Sequence, residues 1–167
     1  MTIKTFNINT DKTAFVRAYL PDSIAGLPFC EKRPAVLIFP GGGYEYCSDR
    51  EGEPIALQYL ALGYAAFVVT YSCNERFPEP LMDAAYIFYK IRMRAEEFKI
   101  DPQKMAVLGC SAGGHLAGCL ATMWSDIALT KTIGCEPEDL RPNAAILCYP
   151  VISGVTAPPE GSFKVLL

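Results

Sequence analysis

Four short, continuous apolar runs recur along this 167-residue chain and alternate with segments of helical character. The runs cover residues 35–39, 65–69, 105–108 and 144–149. Runs of this length without polar alternation are typical of strands that are buried on both faces of a sheet. Because strands and helix-length segments alternate, the pattern predicts an α/β fold with a mostly parallel sheet and helices on both faces.

The segments around these runs carry their own signals. Pro54 suits the first turn of a helix, which continues until Gly63 provides a stop. Between residues 81 and 98, apolar positions keep to helical spacing with charged residues between them, which predicts an amphipathic helix. Near the amino terminus, segments 5–9 and 13–20 alternate polar and apolar residues, which predicts a hairpin at a sheet edge.

The third apolar run is followed by Gly-Cys-Ser-Ala-Gly at residues 109–113, just before a stretch rich in glycine, alanine and leucine. A serine in G-x-S-x-G on a strand-to-helix turn is the signature of a nucleophile elbow. The flanking glycines let such a turn close without side-chain clashes. We therefore predict that Ser111 is a catalytic nucleophile for acyl transfer, with a chance match in a glycine-rich turn as the alternative.

Three glycines, Gly41 to Gly43, follow the first apolar run. A loop at this position supplies one oxyanion donor in folds with an elbow, and the residue after the nucleophile supplies the other. We assign the oxyanion hole to the N–H groups of Ala112 and of Gly42 or Gly43, with a simple turn as the alternative. Since neither glycine segment continues into G-K-[ST], a phosphate-binding loop is not expected.

The single histidine, His115, follows Ser111 by four residues on the same predicted helix. The elbow directs its hydroxyl away from that helix, so we predict a packed or hydrogen-bonded histidine rather than a general base. Tyr44 and Arg50 are predicted to line the mouth of the site and contact substrate, with ordinary surface positions as the alternative. Carboxylates also follow Ser111, at Asp126, Glu136, Glu138, Asp139 and Glu160.

Composition limits the classes of protein that this chain fits. With 51% hydrophobic and 20% charged residues, it is expected to form one globular domain over residues 1–167. A net charge of -3 and a pI near 5.2 exclude a basic surface for nucleic acid. The seven cysteines contain no C-x-x-C pair, and His115 with Cys119 gives too few ligands for zinc. No disulfide framework, metal site or cofactor is therefore expected.

The amino-terminal residues lack the apolar core of a secretory signal, so we expect a cytoplasmic protein. Residues 105–124 carry no Asp, Glu, Lys or Arg and have the length of a membrane span. Four glycines and the elbow lie within this stretch, which favours a buried strand followed by a buried helix. Association with a membrane is not expected.

Longer stretches resemble the acetyl xylan esterase-like, carbohydrate-esterase branch of the α/β-hydrolases, which is related to the hormone-sensitive-lipase group. The stretches are residues 40–44, 48–55, 77–83 and 100–116, and the resemblance extends over most of residues 34–152. Pro40 stands where the lipase loop has a histidine. The resemblance implies a serine-dependent carboxylic ester hydrolase without a cofactor, which removes acetyl groups from a small-molecule or oligosaccharide ester, such as acetylated sugars or xylan fragments.

Members of that branch continue through two more strands, whose following loops hold the catalytic Asp and then the His, whereas this sequence stops at Leu167. We therefore expect a partial, C-terminally truncated α/β-hydrolase domain that lacks the last strands and helices and has weak activity alone. The alternative is a catalytically impaired module that binds a sugar or an ester. A strand at 144–149 would be the last in the sheet, and its apolar edge predicts self-association.

Overall fold

The computed structural model describes residues 1–7, 14–23, 32–153 and 162–166. Strands from these residues form one sheet in the order β1-β2-β4-β3-β5-β6. β1 and β2 form an antiparallel hairpin, β2 is antiparallel to β4, and the remaining pairs are parallel. This confirms the predicted mostly parallel sheet and the hairpin at its edge, while the turn of the hairpin lies outside the described residues. The strands are β1 Thr2–Asn7, β2 Phe15–Leu20, β3 Arg33–Phe39, β4 Ala65–Thr70, β5 Ile100–Cys110 and β6 Ala144–Cys148.

Helices cover both faces of this sheet. Val36 and Ile38 of β3 pack with Ala56 on the side of α1, whereas Leu37 and Phe39 belong to the larger core under α2 and α4. Successive side chains of a strand point to opposite faces, so covering both faces requires a continuous apolar run. The helices are α1 Glu53–Ala61, α2 Glu79–Met93, α3 Ala95–Phe98, α4 Ala112–Met123, α5 Ile127–Ile133, α6 Pro137–Leu140 and α7 Ser162–Leu166.

Two helical segments differ from the sequence prediction. The helix predicted over residues 81–98 is two helices, α2 and α3, because Arg94 leaves the helical conformation with φ -105° and ψ 26°. The segment between α4 and β6, for which the sequence pattern predicts no helix, contains α5, whose first turn is capped by Asp126. The carboxylate of Asp126 accepts hydrogen bonds from the N–H groups of Ala128 and Leu129, at 2.8 and 3.1 Å. Side-chain capping therefore adds a helix that apolar periodicity does not signal.

Strands β5 and β6 also differ from their predictions. β5 begins at Ile100 rather than residue 105, with a register shift in its pairing with β3. The prediction that β6 is buried on both faces is wrong, since Ala144 and Ala145 are exposed and Leu147 keeps 40% exposure. β6 pairs with β5 on one side and is the last strand of the described sheet, as expected. An apolar run becomes buried only where neighbouring elements cover it.

Residues 40–48, the glycine loop, connect the end of β3 to a single 3-10 turn at Asp49–Glu51. Gly42 has φ +132°, and a Cβ at this position would lie 2.0 Å from the carbonyl oxygen of Tyr46, so only glycine fits. The Tyr71 hydroxyl, just after β4, donates a 2.7 Å hydrogen bond to the carbonyl of Pro40. The loop is thus held at the carboxyl edge of the parallel strands. No helix in the described ranges is both long and apolar enough to cross a bilayer.

Candidate active site

Ser111 occupies the turn between β5 and α4 with φ 52° and ψ -117°. Non-glycine residues rarely adopt a positive φ, and they keep it only where the surroundings hold the backbone in place. The N–H of Ser111 donates to the carbonyl of Cys148 at 3.0 Å, and its own carbonyl accepts from the N–H groups of His115 and Val151. The backbone is therefore that of the strained strand-to-helix turn which the sequence predicts. The chemical role of Ser111 stays a prediction.

The glycines of the elbow lie where no side chain fits. A Cβ on Gly109 would lie 2.0 Å from the carbonyl oxygen of Gly113, and a Cβ on Gly113 would lie 2.0 Å from that of Phe39. Both contacts are with backbone atoms, which cannot rotate away. The close approach of α4 to the ends of β3 and β5 therefore depends on these two glycines.

The glycine loop lies directly against the elbow. A Cβ on Gly41 would lie 3.0 Å from the Cβ of Ser111 and 2.8 Å from the carbonyl oxygen of Cys110. Within the described residues, no hydrogen bond uses the N–H groups of Gly42, Gly43 or Ala112. Ala112 is also the first residue of α4, where N–H groups lack a partner in the helix. These three donors are free to bind an oxyanion, so their predicted role stays open to test.

Glu51 is a part of this site that sequence reasoning missed. One oxygen of its carboxylate accepts the N–H of Gly41 at 2.6 Å, and the other accepts the hydroxyl of Tyr149 at 2.8 Å. The hydrogen bond to Glu51 raises the pKa of Tyr149. Glu51 thereby fixes the start of the glycine loop and joins it to the end of β6. No local signal reveals a partner 98 residues away.

His115 is packed and hydrogen-bonded beneath the elbow, as predicted. Its Nδ1 lies 2.7 Å from the Tyr44 hydroxyl, its Nε2 lies 3.6 Å from the sulfur of Cys119, and its ring packs edge-on against Phe163. Burial lowers the pKa of His115, which favours the neutral imidazole. Tyr44 is only 2% exposed, and its predicted place at the mouth of the site, in contact with substrate, stays a prediction. Arg50 is exposed on the 3-10 turn and stays a predicted substrate contact.

Two of the carboxylates that follow Ser111 have structural partners. Asp126 caps α5, and Asp139 accepts the N–H of Glu136 at the start of α6. Glu160 lies outside the described residues. In the part of the chain that the structure describes, no hydrogen bond joins the Ser111 hydroxyl to an imidazole or a carboxylate. The same residues contain no group of three or more metal-binding side chains.

The mostly parallel sheet, the elbow and the adjoining glycine loop define an α/β-hydrolase. The chain belongs to the BD-FAE family, whose model matches residues 27–151. It is similar to MGS-M1, an α/β-hydrolase enzyme from a Medee basin deep-sea metagenome library, with a TM-score of 0.79 and 44% identity. That superposition covers 92% of this chain and 58% of MGS-M1.

Two sequence relatives are longer proteins. The acetylxylan esterase of Xylanibacter ruminicola is 33% identical over 155 residues, which are 89% of this chain and 28% of the relative. Endo-1,4-beta-xylanase B of Butyrivibrio fibrisolvens is 36% identical over 129 residues, or 73% of this chain and 20% of the relative. The chain thus spans less than a third of either protein, and its family is one of α/β-hydrolase esterases.

Proposed function

We propose that this chain is the nucleophile-bearing part of a serine-dependent carboxylic ester hydrolase that deacetylates acetylated sugars or xylan fragments. The observation that carries the proposal is the strained Ser111 at the β5–α4 junction, with the glycine loop in contact with it. The similarity to an acetylxylan esterase supports the acetyl ester as substrate. Arg50, exposed beside the glycine loop, is the proposed contact to the sugar.

In the proposed reaction, the oxygen of Ser111 attacks the acetyl carbonyl carbon, and its proton passes to the ester oxygen of the sugar, which departs as a hydroxyl group. The tetrahedral oxyanion accepts hydrogen bonds from the N–H groups of Ala112 and of Gly42 or Gly43. Collapse leaves acetyl-Ser111, and water then releases acetate and restores the hydroxyl. Losing one such donor typically costs a factor of about 100 to 1,000 in turnover.

The proposed activity of this chain alone is weak. His115 is bound to Tyr44, so it does not accept the proton of Ser111. An oxyanion hole and substrate binding without a complete triad still accelerate hydrolysis by about 1,000 to 10,000-fold over water. Slow turnover of an activated ester such as p-nitrophenyl acetate is the expected result.

A fluorophosphonate tests the nucleophile, because it reacts covalently with activated serines. The intact mass of the treated chain is expected to rise by one adduct, and Ser111→Ala is expected to abolish it. Ser125, which is exposed in the turn after α4, offers a matched control, and Ser125→Ala should label like the wild type. An adduct of unchanged yield in Ser111→Ala contradicts the proposal.

The same labelling reaction tests the substrate. An acetylated xylo-oligosaccharide is expected to slow the labelling of Ser111, whereas the deacetylated oligosaccharide at equal concentration leaves the rate closer to that of free protein. Equal labelling rates with both oligosaccharides would contradict an acetylated sugar as the substrate. They would not contradict Ser111 as the nucleophile.

A binding module that holds a sugar or an ester without turning it over is the second candidate. It is favoured by the absence of an imidazole bonded to the Ser111 hydroxyl among the described residues. Calorimetry with the acetylated oligosaccharide separates the two functions when read together with labelling. No adduct, with sugar binding that survives Ser111→Ala, identifies the binding module; a Ser111-dependent adduct identifies the enzyme.

We also propose that the chain self-associates through the edge of β6. Its outer side has no partner strand in the described sheet, and Leu147, Tyr149 and Ile152 expose apolar surface at or near it. The acidic net charge gives no support for a nucleic-acid partner.

A further inference from the structure

A cysteine of the glycine loop contacts a second cysteine that lies 26 residues further along the sequence. Cys47 lies within the glycine loop, Cys73 lies in the segment after β4, and their sulfur atoms are 3.8 Å apart. Both side chains are half-buried, and both sulfurs also approach the carbonyl oxygen of Tyr71, at 3.9 and 3.5 Å. A disulfide places its sulfurs about 2.05 Å apart, so the two side chains must move closer together before a bond can form.

Hydrogen bonds already connect the two backbone segments that carry the thiols. The N–H of Asn74 donates to the carbonyl of Tyr44 at 2.7 Å, and the side-chain amide of Asn74 donates to the carbonyl of Glu45 at 3.0 Å. The Tyr71 hydroxyl binds the carbonyl of Pro40 on the same side. A covalent link between Cys47 and Cys73 would therefore connect two segments that already contact each other in the fold.

The two thiols differ in their readiness to ionise. The hydrogen bond from the Cys47 thiol lowers the pKa of Cys73, against smaller opposing effects of burial and of the Asp83 carboxylate. The hydrogen bond to Cys73 and burial raise the pKa of Cys47. Because the thiolate is the reactive form, the lowered pKa of Cys73 favours it as the attacking sulfur, with Cys47 as the resolving one. Cys47 lines an open cavity of about 600 Å³ and Cys73 is only half-buried, so a small oxidant can reach both thiols.

We propose that Cys47 and Cys73 form a peroxide-sensitive modification site, whose disulfide fastens the glycine loop to the segment after β4. The Cys73 thiolate attacks one oxygen of hydrogen peroxide, the O–O bond breaks, and the other oxygen leaves as water after taking a proton. The sulfur of Cys47 then attacks the Cys73 sulfenic acid, and a second water leaves with the thiol proton. Two thiols are thus oxidised by two electrons, and peroxide is reduced to two waters.

The test oxidises the full chain with hydrogen peroxide and follows it by intact mass and by non-reducing peptide mapping. We expect a loss of two hydrogen atoms, a cross-linked peptide pair containing Cys47 and Cys73, and reversal by dithiothreitol. Cys135→Ser, which removes another half-buried thiol, serves as the matched control and should still form the cross-link. Cys110 and Cys148 are partners in the β5–β6 pairing, so a cross-link between those two instead would overturn the assignment.

Two further readouts assign the roles and the structural effect. In Cys47→Ser, peroxide should leave a Cys73 sulfenic acid that dimedone traps, whereas Cys73→Ser should trap none at Cys47. Amide hydrogen exchange in residues 40–48 should slow by about tenfold in the oxidised chain and return on reduction. Dimedone adducts at Cys47 in Cys73→Ser, or exchange unchanged by oxidation, would contradict the proposal. None of these readouts requires ester hydrolysis. They therefore test the disulfide independently of the proposed function.

Discussion

At the scale of single residues, the site depends on glycines that carry no Cβ. Gly109 and Gly113 let the backbones of β3, β5 and α4 approach within distances that a Cβ would block. Ser111, by contrast, has a side chain and still adopts a positive φ. Such strain persists only when neighbouring hydrogen bonds fix the backbone, as those to Cys148 and Val151 do. The backbone conformation of the elbow therefore depends on contacts with neighbouring elements as well as on the five residues of its motif.

Gly113→Ala is expected to destabilise the fold, because the new Cβ would lie 2.0 Å from the carbonyl oxygen of Phe39. Overpacking of this kind costs about 1–3 kcal/mol in the free energy of unfolding. Gly118→Ala, on the same helix, is the matched control, since its Cβ would meet only Leu147 at 3.7 Å. Higher helix propensity should make that variant as stable as the wild type or more so, by up to about 1 kcal/mol. Urea unfolding measures both, and equal stability of the two variants would contradict the packing argument.

At the scale of elements, the glycine loop is positioned by contacts from three sides. Tyr71, after β4, binds its first residue, Glu51 of the 3-10 turn binds the N–H of Gly41, and Asn74 binds the carbonyl of Tyr44. The Tyr44 hydroxyl meets His115 on α4, so the same loop is also joined to the helix of the elbow. A preorganised oxyanion hole requires such support, since donors that must reorganise stabilise the oxyanion less.

Glu51→Gln is expected to loosen the glycine loop, because the neutral amide keeps one acceptor oxygen where the carboxylate uses two. Losing a charge-assisted hydrogen bond should lower the free energy of unfolding by about 1–2 kcal/mol. Fluorophosphonate labelling of Ser111 should slow by about tenfold, since part of the oxyanion stabilisation is lost. Glu45→Gln, at an exposed position of the same loop, is the control and should change neither quantity. Wild-type labelling in folded Glu51→Gln would show that Glu51 does not position the loop.

At the scale of the whole molecule, the strands of the sheet differ in how far neighbouring elements cover them. β3 and β5 are covered on both faces and paired on both sides, whereas β6 ends the described sheet with exposed alanines and an exposed Leu147. A strand edge of this kind presents unpaired N–H and carbonyl groups to other chains. Charged residues on an edge strand are a common means of preventing such pairing.

Ala145→Lys is therefore expected to reduce self-association, because it places a charge on the exposed part of β6. Light scattering should show a wild-type mass that rises with concentration and a variant that stays closer to the monomer. Ala61→Lys makes the same change at an exposed position on α1 and should associate like the wild type. A wild-type chain that stays monomeric at high concentration would exclude the proposed interface.

The sequence determined the features that local rules control. Continuous apolar runs predicted the parallel strands, and the G-x-S-x-G motif predicted the turn at Ser111, because strand burial and tight turns depend on residues close together in the chain. Only the tertiary structure decided that Tyr44 is buried against His115 and that β6 is left exposed. It alone also placed Glu51 in hydrogen-bond contact with Tyr149, and the thiol of Cys47 in contact with that of Cys73. These contacts depend on sheet order and register, which place residues far apart in sequence at one edge, and no local pattern of residues encodes that proximity.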